Sequence, residues 1–523
     1  MVLTIIQPLK LITSLQALSL VLPFILFLFY LHRWHQQRIH FVKKFPPSPP
    51  KLPLIGNIHQ LSTRPHRSLH SLSNQYGDLM LLHLGSLPTL IVSSARTARE
   101  IMVTQDITFA NRPKSKKADK FFYNYKDIGT APYGEYWRQV KGICIQHLLN
   151  NKKVRSFRRE REEEITLMIE KITQSTYLPV NLSELFKDFT NDMICKVVFG
   201  MKYSEKEGGM NFNKFMNDFT ESLAEFCFGD FIPWLAWIDG VRGWDSKINQ
   251  IFKEFDEFVE RVIKEHQDRL DSYGMAEDGD NMNEKVKDFV DVLLDYKNDH
   301  NAGVTIDHIG VKAVILNMFA AGTDTTSSLL EWTMAELLRH PQVLEELQQE
   351  VRKITENNTC VKEEDLEQMK YLKAVIKETL RLHPTVPLLA PHESTKHTKI
   401  NGYHIPASTT VLINAWAIHR DPSYWDDPEM FVPERFLKSP TDYRGHDLNF
   451  IPFGAGRRIC PGISFAMAST ELLIANLIHK FDWRLPDGVE CSTLDMSECF
   501  TISMHKNTPL LATALPPTAC REL

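Results

Sequence analysis

The chain carries a long apolar run without charge near its amino end. From Leu11 to His32 there is no lysine, arginine, aspartate or glutamate, and most of the 22 residues are Leu, Ile, Val or Phe. As a helix this run would be about 33 Å long, against a bilayer hydrocarbon core of roughly 30 Å. Lysines and arginines cluster after the run, which predicts a cytosolic position for the rest of the protein. We expect residues 1–32 to be a single-pass membrane anchor.

The segment after this run is basic and then rich in proline. A cleaved signal peptide would need a shorter apolar core and a small-residue cleavage site, whereas YLHRWHQQR follows here. Five prolines between Pro46 and Pro53 disfavour a helix and favour a stiff extended segment. A plain linker or an SH3-type ligand has the same composition. We interpret residues 33–53 as a basic stretch and a hinge between the anchor and the body.

The body, residues 54–523, alternates between two kinds of hydrophobic pattern. Residues 79–94 predict two short strands with a turn around Gly85 and Pro88. Helical periodicity runs through longer charged, amphipathic stretches, namely 150–175, 246–272, 328–355 and 363–382. Length alone favours about three domains, but no Pro/Gly/Ser-rich boundary divides the body. The pattern predicts one mainly α domain with a small β-rich part.

Composition narrows the function classes. The net charge of −5 argues against nucleic acid as a partner. The eight cysteines are scattered without a CxxC pair, which is typical of neither a disulfide framework nor a zinc site. These features favour a reducing, cytosolic environment for the body.

Two segments contain candidate chemistry. FGAGRRICPG, residues 453–462, sets Cys460 among glycines and arginines, so this thiol is either a structural cysteine or a metal-ligating thiolate. ILNMFAAGTDTTSSLLEW, residues 315–332, is an apolar helix interrupted by glycine, threonine, aspartate and serine, which lower helix propensity. We expect a local opening of this helix that admits a ligand and water.

Three further patterns are weak when taken singly. Glu378 and Arg381 share a helix face and can pair, although most ExxR pairs lie on the surface. Trp137 and Lys141 lie one helical turn apart, and both side chains can donate hydrogen bonds to a carboxylate. Arg435 lies in the irregular segment FVPERF.

Together these segments resemble the cytochrome P-450 family. FGAGRRICPG matches the haem-binding signature FxxGxRxCxG, and the other four segments occur in the family's order: Trp137 and Lys141, AGTDTT, ExxR and PERF. The resemblance covers essentially the whole chain. Within the family, the chain is similar to the microsomal A-type plant members that serve specialised metabolism. It implies the cytochrome P-450 fold, preceded here by the single transmembrane helix.

The resemblance also implies roles for individual residues. Haem b would be held by Cys460 as the axial thiolate ligand. The other residues expected to bind the cofactor are Arg458, Trp137, Lys141, His392, Phe453 and Gly462. His392 departs from the arginine common in the family, so its contact with a propionate would depend on protonation. Asp324 and Thr325 would supply protons during the activation of dioxygen, and Glu378, Arg381 and Arg435 would form a buried triad.

The function implied by the resemblance is monooxygenation in the endoplasmic reticulum membrane, with the catalytic domain in the cytosol. NADPH-cytochrome P-450 reductase would supply electrons, and the substrate would be a small lipophilic terpenoid, alkaloid or phenylpropanoid. By resemblance, the substrate pocket would draw on the segments 121–128, 215–240, 386–390 and 500–502 and on Met318, Ala321 and Thr325. Oxidative coupling or ring formation, a reductase-independent rearrangement and a haem sensor or electron carrier are the alternatives.

Overall fold

The computed structural model describes residues 44–203, 211–274, 287–298, 306–356, 358–501 and 503–517. The predicted anchor, 1–32, and most of the basic stretch that follows it lie outside these residues. Within the described segments, none of the helices has the length and hydropathy of a membrane span.

Helices make up most of the described body. Several begin with an N-cap side chain; for example, Asn150, Asn181 and Asp307 each accept a hydrogen bond from a backbone N–H of the first turn. The α-helices are α1 Pro65–Tyr76, α2 Ala95–Arg99, α3 Asp106–Phe109, α4 Lys116–Phe121, α5 Glu135–Cys144, α6 Asn151–Ser156, α7 Arg158–Gln174, α8 Leu182–Phe199, α9 Phe212–Ala224, α10 Phe228–Phe231, α11 Ala236–Val241, α12 Trp244–Gly274, α13 Phe289–Asn298, α14 His308–Arg339, α15 Pro341–Ile354, α16 Lys370–Leu382, α17 Ala415–Ile418, α18 Glu434–Leu437 and α19 Ile463–Lys480.

The strands are short and form small sheets at the side of the helical body. They are β1 Leu79–Leu84, β2 Leu87–Val92, β3 Pro179–Asn181, β4 His392–Glu393, β5 Thr398–Ile400, β6 Tyr403–Ile405, β7 Thr410–Ile413, β8 Asp482–Arg484, β9 Glu498–Phe500, β10 Met504–Lys506 and β11 Leu511–Leu515. The largest sheet has the order β1-β2-β7-β4, with β2 parallel to β7 and the other pairs antiparallel. The remaining sheets are β3-β11-β8, β9-β10 and β5-β6.

The long helix α14 runs through the core and packs along α8. Gly322 permits this close approach, because a Cβ atom at that position would lie 2.5 Å from Cδ1 of Ile194 on α8. Helix α8 ends at Phe199 and is followed by Gly200, whose φ of 73° is the left-handed conformation typical of a helix C-terminus. Helix α14 ends at Arg339, since His340 precedes Pro341 and proline disfavours helical geometry in the residue before it.

These elements confirm most of the predicted pattern. The strand pair is present, but its turn lies at Gly85 and Ser86, and Pro88 is already paired with His83 inside β2. The stretch 328–355 divides into α14 and α15 at Pro341. The expected opening of the helix at 315–332 is wrong, because α14 is continuous from His308 to Arg339. The Thr325 hydroxyl is accommodated within the helix by donating to the carbonyl of Ala321, at 2.7 Å.

The predicted triad of Glu378, Arg381 and Arg435 is confirmed. Both Glu378 and Arg381 have side chains that are 0% exposed, and they share two hydrogen bonds of 2.7 and 2.8 Å. Arg435 Nε lies 3.0 Å from Oε1 of Glu378. Arg381 also donates to the carbonyls of His419, Pro428 and Met430. The triad therefore ties α16 to the irregular segment that leads into α18.

Candidate functional site

A cavity of about 310 Å³ lies between α14 and the loop that contains Cys460. Its walls are mostly apolar, and its polar residues are few. The apolar or weakly polar part of the wall includes Ile128, Met318, Ala321, Thr325, Val386, Leu389 and Ala390. The basic residues that line the cavity are Arg112, Lys141, His392 and Arg458. An apolar cavity with a few convergent polar groups is the usual form of a small-molecule or cofactor site.

The loop at residues 453–462 presents the Cys460 sulfur to this cavity, and Phe453 and Gly462 line the cavity beside it. The backbone N–H of Cys460 donates to the carbonyl of Phe453 at 3.0 Å, and the N–H of Gly462 lies 3.3 Å from Sγ of Cys460. Burial raises the pKa of the Cys460 thiol, whereas the Gly462 N–H and the Lys141 charge act in the opposite direction. A metal ion at this sulfur would replace the proton.

The turn of this loop needs glycine at position 456. Gly456 has a φ of 67°, and a Cβ atom there would lie 2.0 Å from the carbonyl oxygen of Met102. Any other residue would be strained and would also collide with backbone. The glycines of the segment therefore allow a close backbone approach that fixes the position of Cys460.

Three cations share the rim of the cavity: Arg112, Lys141 and Arg458. Within the described segments none of them forms an ion pair with a carboxylate; their hydrogen bonds go to backbone carbonyls. Burial and then the neighbouring Arg458 charge lower the pKa of Arg112 to about 9, and burial lowers that of Arg458 to about 10. Arg112 is buried and the other two cations are half-buried, and the Asp127 charge, at longer range, offsets the two arginines only in part. Cations in such surroundings without a direct ion pair are costly, so this rim is suited to a ligand that carries carboxylates.

Two other residues predicted to bind the cofactor also line the cavity. Trp137, on α5, donates its indole N–H to the carbonyl of Ile128 at 3.0 Å, and the Arg458 guanidinium lies 4.2 Å from the centre of the Trp137 ring system. His392 Nδ1 lies 2.8 Å from the carbonyl of Phe109. Burial and then the Arg112 charge lower the pKa of His392 to about 3, so this imidazole is neutral at pH 7.

The polar residues of α14 divide between two sides of the helix. Thr325 lines the cavity with Gly322 and Asn317. Asp324 does not line the cavity; its Oδ1 accepts a hydrogen bond from Nε2 of His505 on β10, at 2.9 Å. The structure thus brings Thr325, but not the Asp324 side chain, to the same cavity as Cys460.

Comparison with known proteins decides the family. The family model described as cytochrome P450 matches residues 46–511. This chain belongs to the cytochrome P450 family.

Its relatives among curated proteins include plant enzymes. The protein described as cytochrome P450 736A117 from Prunus mume is 51% identical over 497 residues, which cover 94% of each chain. Norfluorocurarine oxidase from Strychnos sp is 49% identical over 494 residues, which cover 94% of this chain and 96% of that one. A solved zebra fish cytochrome P450 with abiraterone has a TM-score of 0.73 at 26% identity, covering 87% of this chain and 100% of that one. The protein is therefore an oxidoreductase of the P450 monooxygenase family with the P450 fold.

The family and fold imply a haem with an axial cysteine thiolate, and the residues of this P450 fit that group. Cys460 is the cysteine that lines the cavity. The three rim cations are enough to balance the two negative charges of the porphyrin propionates, and the apolar walls suit the macrocycle. His392 fits less well in its neutral state, because its Nδ1–H is already directed at the Phe109 carbonyl.

Sequence reasoning missed Arg112. It lies in the segment FANRP, and a single arginine between an asparagine and a proline gives little indication of its position. Its burial beside Arg458 becomes visible only when the chain is folded. Sequence reasoning also missed His505, which is 181 residues from its partner Asp324.

The predicted substrate pocket is matched in part. Ile128, Met318, Ala321, Thr325 and three residues of 386–390 line the cavity, whereas 215–240 contributes none of its residues. Phe121 instead packs edge-to-face against Phe219, with ring centres 4.9 Å apart. Phe500 packs against His66, and residue 502 is outside the described residues.

Proposed function

We propose that this P450 inserts one oxygen atom from dioxygen into a small lipophilic plant specialised metabolite, of the terpenoid, alkaloid or phenylpropanoid class. Electrons would come from NADPH through NADPH-cytochrome P450 reductase in the endoplasmic reticulum membrane. The observation that carries the proposal is one mainly apolar cavity that is lined by both Cys460 and Thr325. A plant relative named norfluorocurarine oxidase supports a plant metabolite as the substrate class.

The residues of the cavity have separable tasks in this reaction. Cys460 would hold the haem iron, and Arg112, Lys141 and Arg458 would hold the propionates. Haem bound through a thiolate supplies the electron density that favours cleavage of the O–O bond. Thr325 places a hydroxyl at the cavity wall, where it can hold a proton or a water molecule for that cleavage. The apolar side chains exclude bulk water and bind a lipophilic substrate without forming directional contacts.

The proposal is tested in yeast membranes that contain this P450 and the reductase. We expect product to form from a panel of terpenoids, alkaloids and phenylpropanoids only when NADPH and the reductase are both present. Product that forms when NADPH or the reductase is left out would contradict monooxygenation. It would support a rearrangement of a substrate that already contains the activated oxygen.

The identity of the ligand cysteine is tested in the same membranes. The reduced, CO-treated wild type is expected to show the red-shifted absorption band of thiolate-ligated haem, and Cys460→Ser is expected to lose it. Cys499→Ser is a matched control, because Cys499 is exposed and does not line the cavity. A normal band in Cys460→Ser would overturn the assignment.

A further inference from the structure

A half-buried histidine, with its side chain 16% exposed, lies between two carboxylates of α14. His505, on β10, has Nε2 at 2.9 Å from Oδ1 of Asp324 and Nδ1 at 3.7 Å from Oε2 of Glu331. Asp324 and Glu331 lie seven residues apart on α14, about two helical turns. One imidazole therefore contacts two acids on the same face of α14, one of which is next to the cavity residue Thr325.

The other groups around this cluster do not neutralise Asp324 directly. From α8, the Lys187 charge acts on Asp324 at longer range, and the Ser183 hydroxyl donates to Oε1 of Glu331. The Lys506 ammonium is directed away, toward the carbonyl of Asp495, although its backbone N–H donates to Glu331 at 3.1 Å. His505 is thus the cation in contact with Asp324.

The second oxygen of Asp324 is left unused. Oδ2 is buried and accepts no hydrogen bond within the part of the chain that the structure describes, although the Ser503 side chain is near it. An ionised carboxylate with one buried oxygen unpaired is held in place by its other oxygen, here by the contact with His505. Breaking that contact would remove the cation that holds Asp324 and leave the nearby Ser503 hydroxyl as its remaining polar neighbour.

We propose that His505 is a positioning residue that acts as a latch on Asp324: it holds the carboxylate ionised and away from the cavity, and Glu331 takes over the imidazolium when Asp324 turns toward Thr325. This inference rests on the proposed function and on the proton-supplying role that the family resemblance implies for Asp324. The two carboxylates make the exchange possible, because the imidazolium keeps an anionic partner in both positions.

The charges of the cluster give this latch a pH range. Burial acts against the charged form of His505, but Asp324 and then Glu331 raise its pKa to about 9. Burial likewise acts against ionised Asp324, but His505 lowers its pKa below the ordinary 3.8. Both groups are therefore charged between about pH 5 and pH 8, and proton delivery by the wild type should be insensitive to pH across this range.

The latch is tested first without turnover, on the haem-loaded wild type labelled with ¹³C-histidine. The imidazole resonance of His505, assigned by its loss in His505→Gln, is expected to titrate near pH 9 and to shift toward the ordinary 6.5 in Asp324→Asn. In thermal unfolding at pH 7, His505→Gln is expected to lower Tm in both the wild-type and the Asp324→Asn backgrounds. The loss in the Asp324→Asn background should be roughly half of that in the wild type, or less. Wild-type titration near 6.5, or equal Tm losses in both backgrounds, would overturn the proposal.

The second test is the pH profile of the ratio of product to NADPH consumed. It should be flat from about pH 5 to 8 in the wild type. In His505→Gln the Asp324 pKa rises, because burial remains and the cation is gone. The carboxylate then takes up a proton at the lower end of this range, so the ratio should fall as the pH is lowered. His505→Lys restores a cation and should restore the flat profile.

His340→Gln is the matched control. His340 also pairs with a buried glutamate of α14, at 3.2 Å from Glu336, but it follows the C-terminal end of the helix, whereas Asp324 lies at its middle. The variant His340→Gln should lower Tm and leave the pH profile of the product-to-NADPH ratio unchanged. A flat profile in His505→Gln would overturn the latch if Asp324→Asn still lowers the ratio. If Asp324→Asn also leaves the ratio unchanged, the proton role of Asp324 itself is wrong.

Discussion

At the residue scale, the chemistry of the cavity depends on a few polar atoms in apolar surroundings. The Thr325 hydroxyl illustrates this, since it donates to the Ala321 carbonyl at 2.7 Å and still lines the cavity. A hydroxyl that donates to its own helix keeps its lone pairs as acceptors. Thr325 can therefore receive a proton donor, such as a water molecule, from the cavity side.

Thr325→Ala is expected to keep haem and substrate binding but to divert NADPH electrons into hydrogen peroxide. General acid assistance typically contributes about 10²–10⁴-fold, so the product formed per NADPH should fall by at least about 10-fold. The measurement is NADPH consumed, peroxide released and product formed in one reaction.

Thr333→Ala provides the control for this change. Thr333 donates to the Leu329 carbonyl at 2.7 Å, the same contact in the same helix, but it does not line the cavity. Its product yield should equal that of the wild type. A wild-type yield in Thr325→Ala as well would remove Thr325 from the proton route.

Much of the residue-scale site was predictable from local sequence. Cys460 and its glycines lie in ten consecutive residues, and Trp137 and Lys141 are one turn apart. Arg112 and His505 were not predictable, because each acquires its role from partners that are distant in sequence. Burial beside another arginine without a direct ion pair, which marks Arg112, is a property of the folded chain.

At the element scale, the triad around Glu378 decides whether the segment before α18 is held against α16. Arg381 is fully buried and donates both to Glu378 and to three carbonyls of that region. The carboxylate contacts two guanidinium groups at once, since Arg435 also pairs with it. The segment has little regular structure of its own, so these contacts fix its path.

Glu378→Gln should strongly destabilise the protein. The change leaves the buried Arg381 without an anion, a situation that typically costs about 3–5 kcal/mol. We expect a lower Tm and reduced haem content after purification. Glu163→Gln is the control, because the Arg159–Glu163 pair is exposed and should matter much less. Equal Tm values for Glu378→Gln and Glu163→Gln would show that the triad does not stabilise the fold.

Element prediction succeeded where the chain repeats a period over many residues. The helices at 150–175 and 246–272 were evident from such repeats, and the structure has α6, α7 and α12 there. The strands β4 and β10 are two and three residues long, and too short for an alternating pattern. The continuity of α14 was also missed, because propensity counts Gly322 and the threonines against a helix while tertiary packing against α8 stabilises it.

At the scale of the whole molecule, the described body contains every residue assigned to the cavity. Its family match begins at residue 46, within the proline-rich stretch and after the apolar run. Residues near the hinge already contact the body, since the N–H of Leu81 donates to the carbonyl of Pro47. The cavity and the predicted anchor are therefore separate parts of the chain.

Deleting residues 1–43 should release much of the protein from membranes while leaving the CO band of the reduced form unchanged. The uncharged run from Leu11 to His32 has the length of a membrane span, and its removal takes away the predicted anchor without touching a cavity residue. The deletion stops before the prolines, because Pro47 and Pro49 accept hydrogen bonds from the body. A matched variant with three lysines in place of Leu20, Phe24 and Phe27 should also leave the membrane, since each charge within a span is unfavourable. Loss of the CO band in both variants would show that the segment belongs to the catalytic fold, and full retention in membranes would show that it is not the anchor.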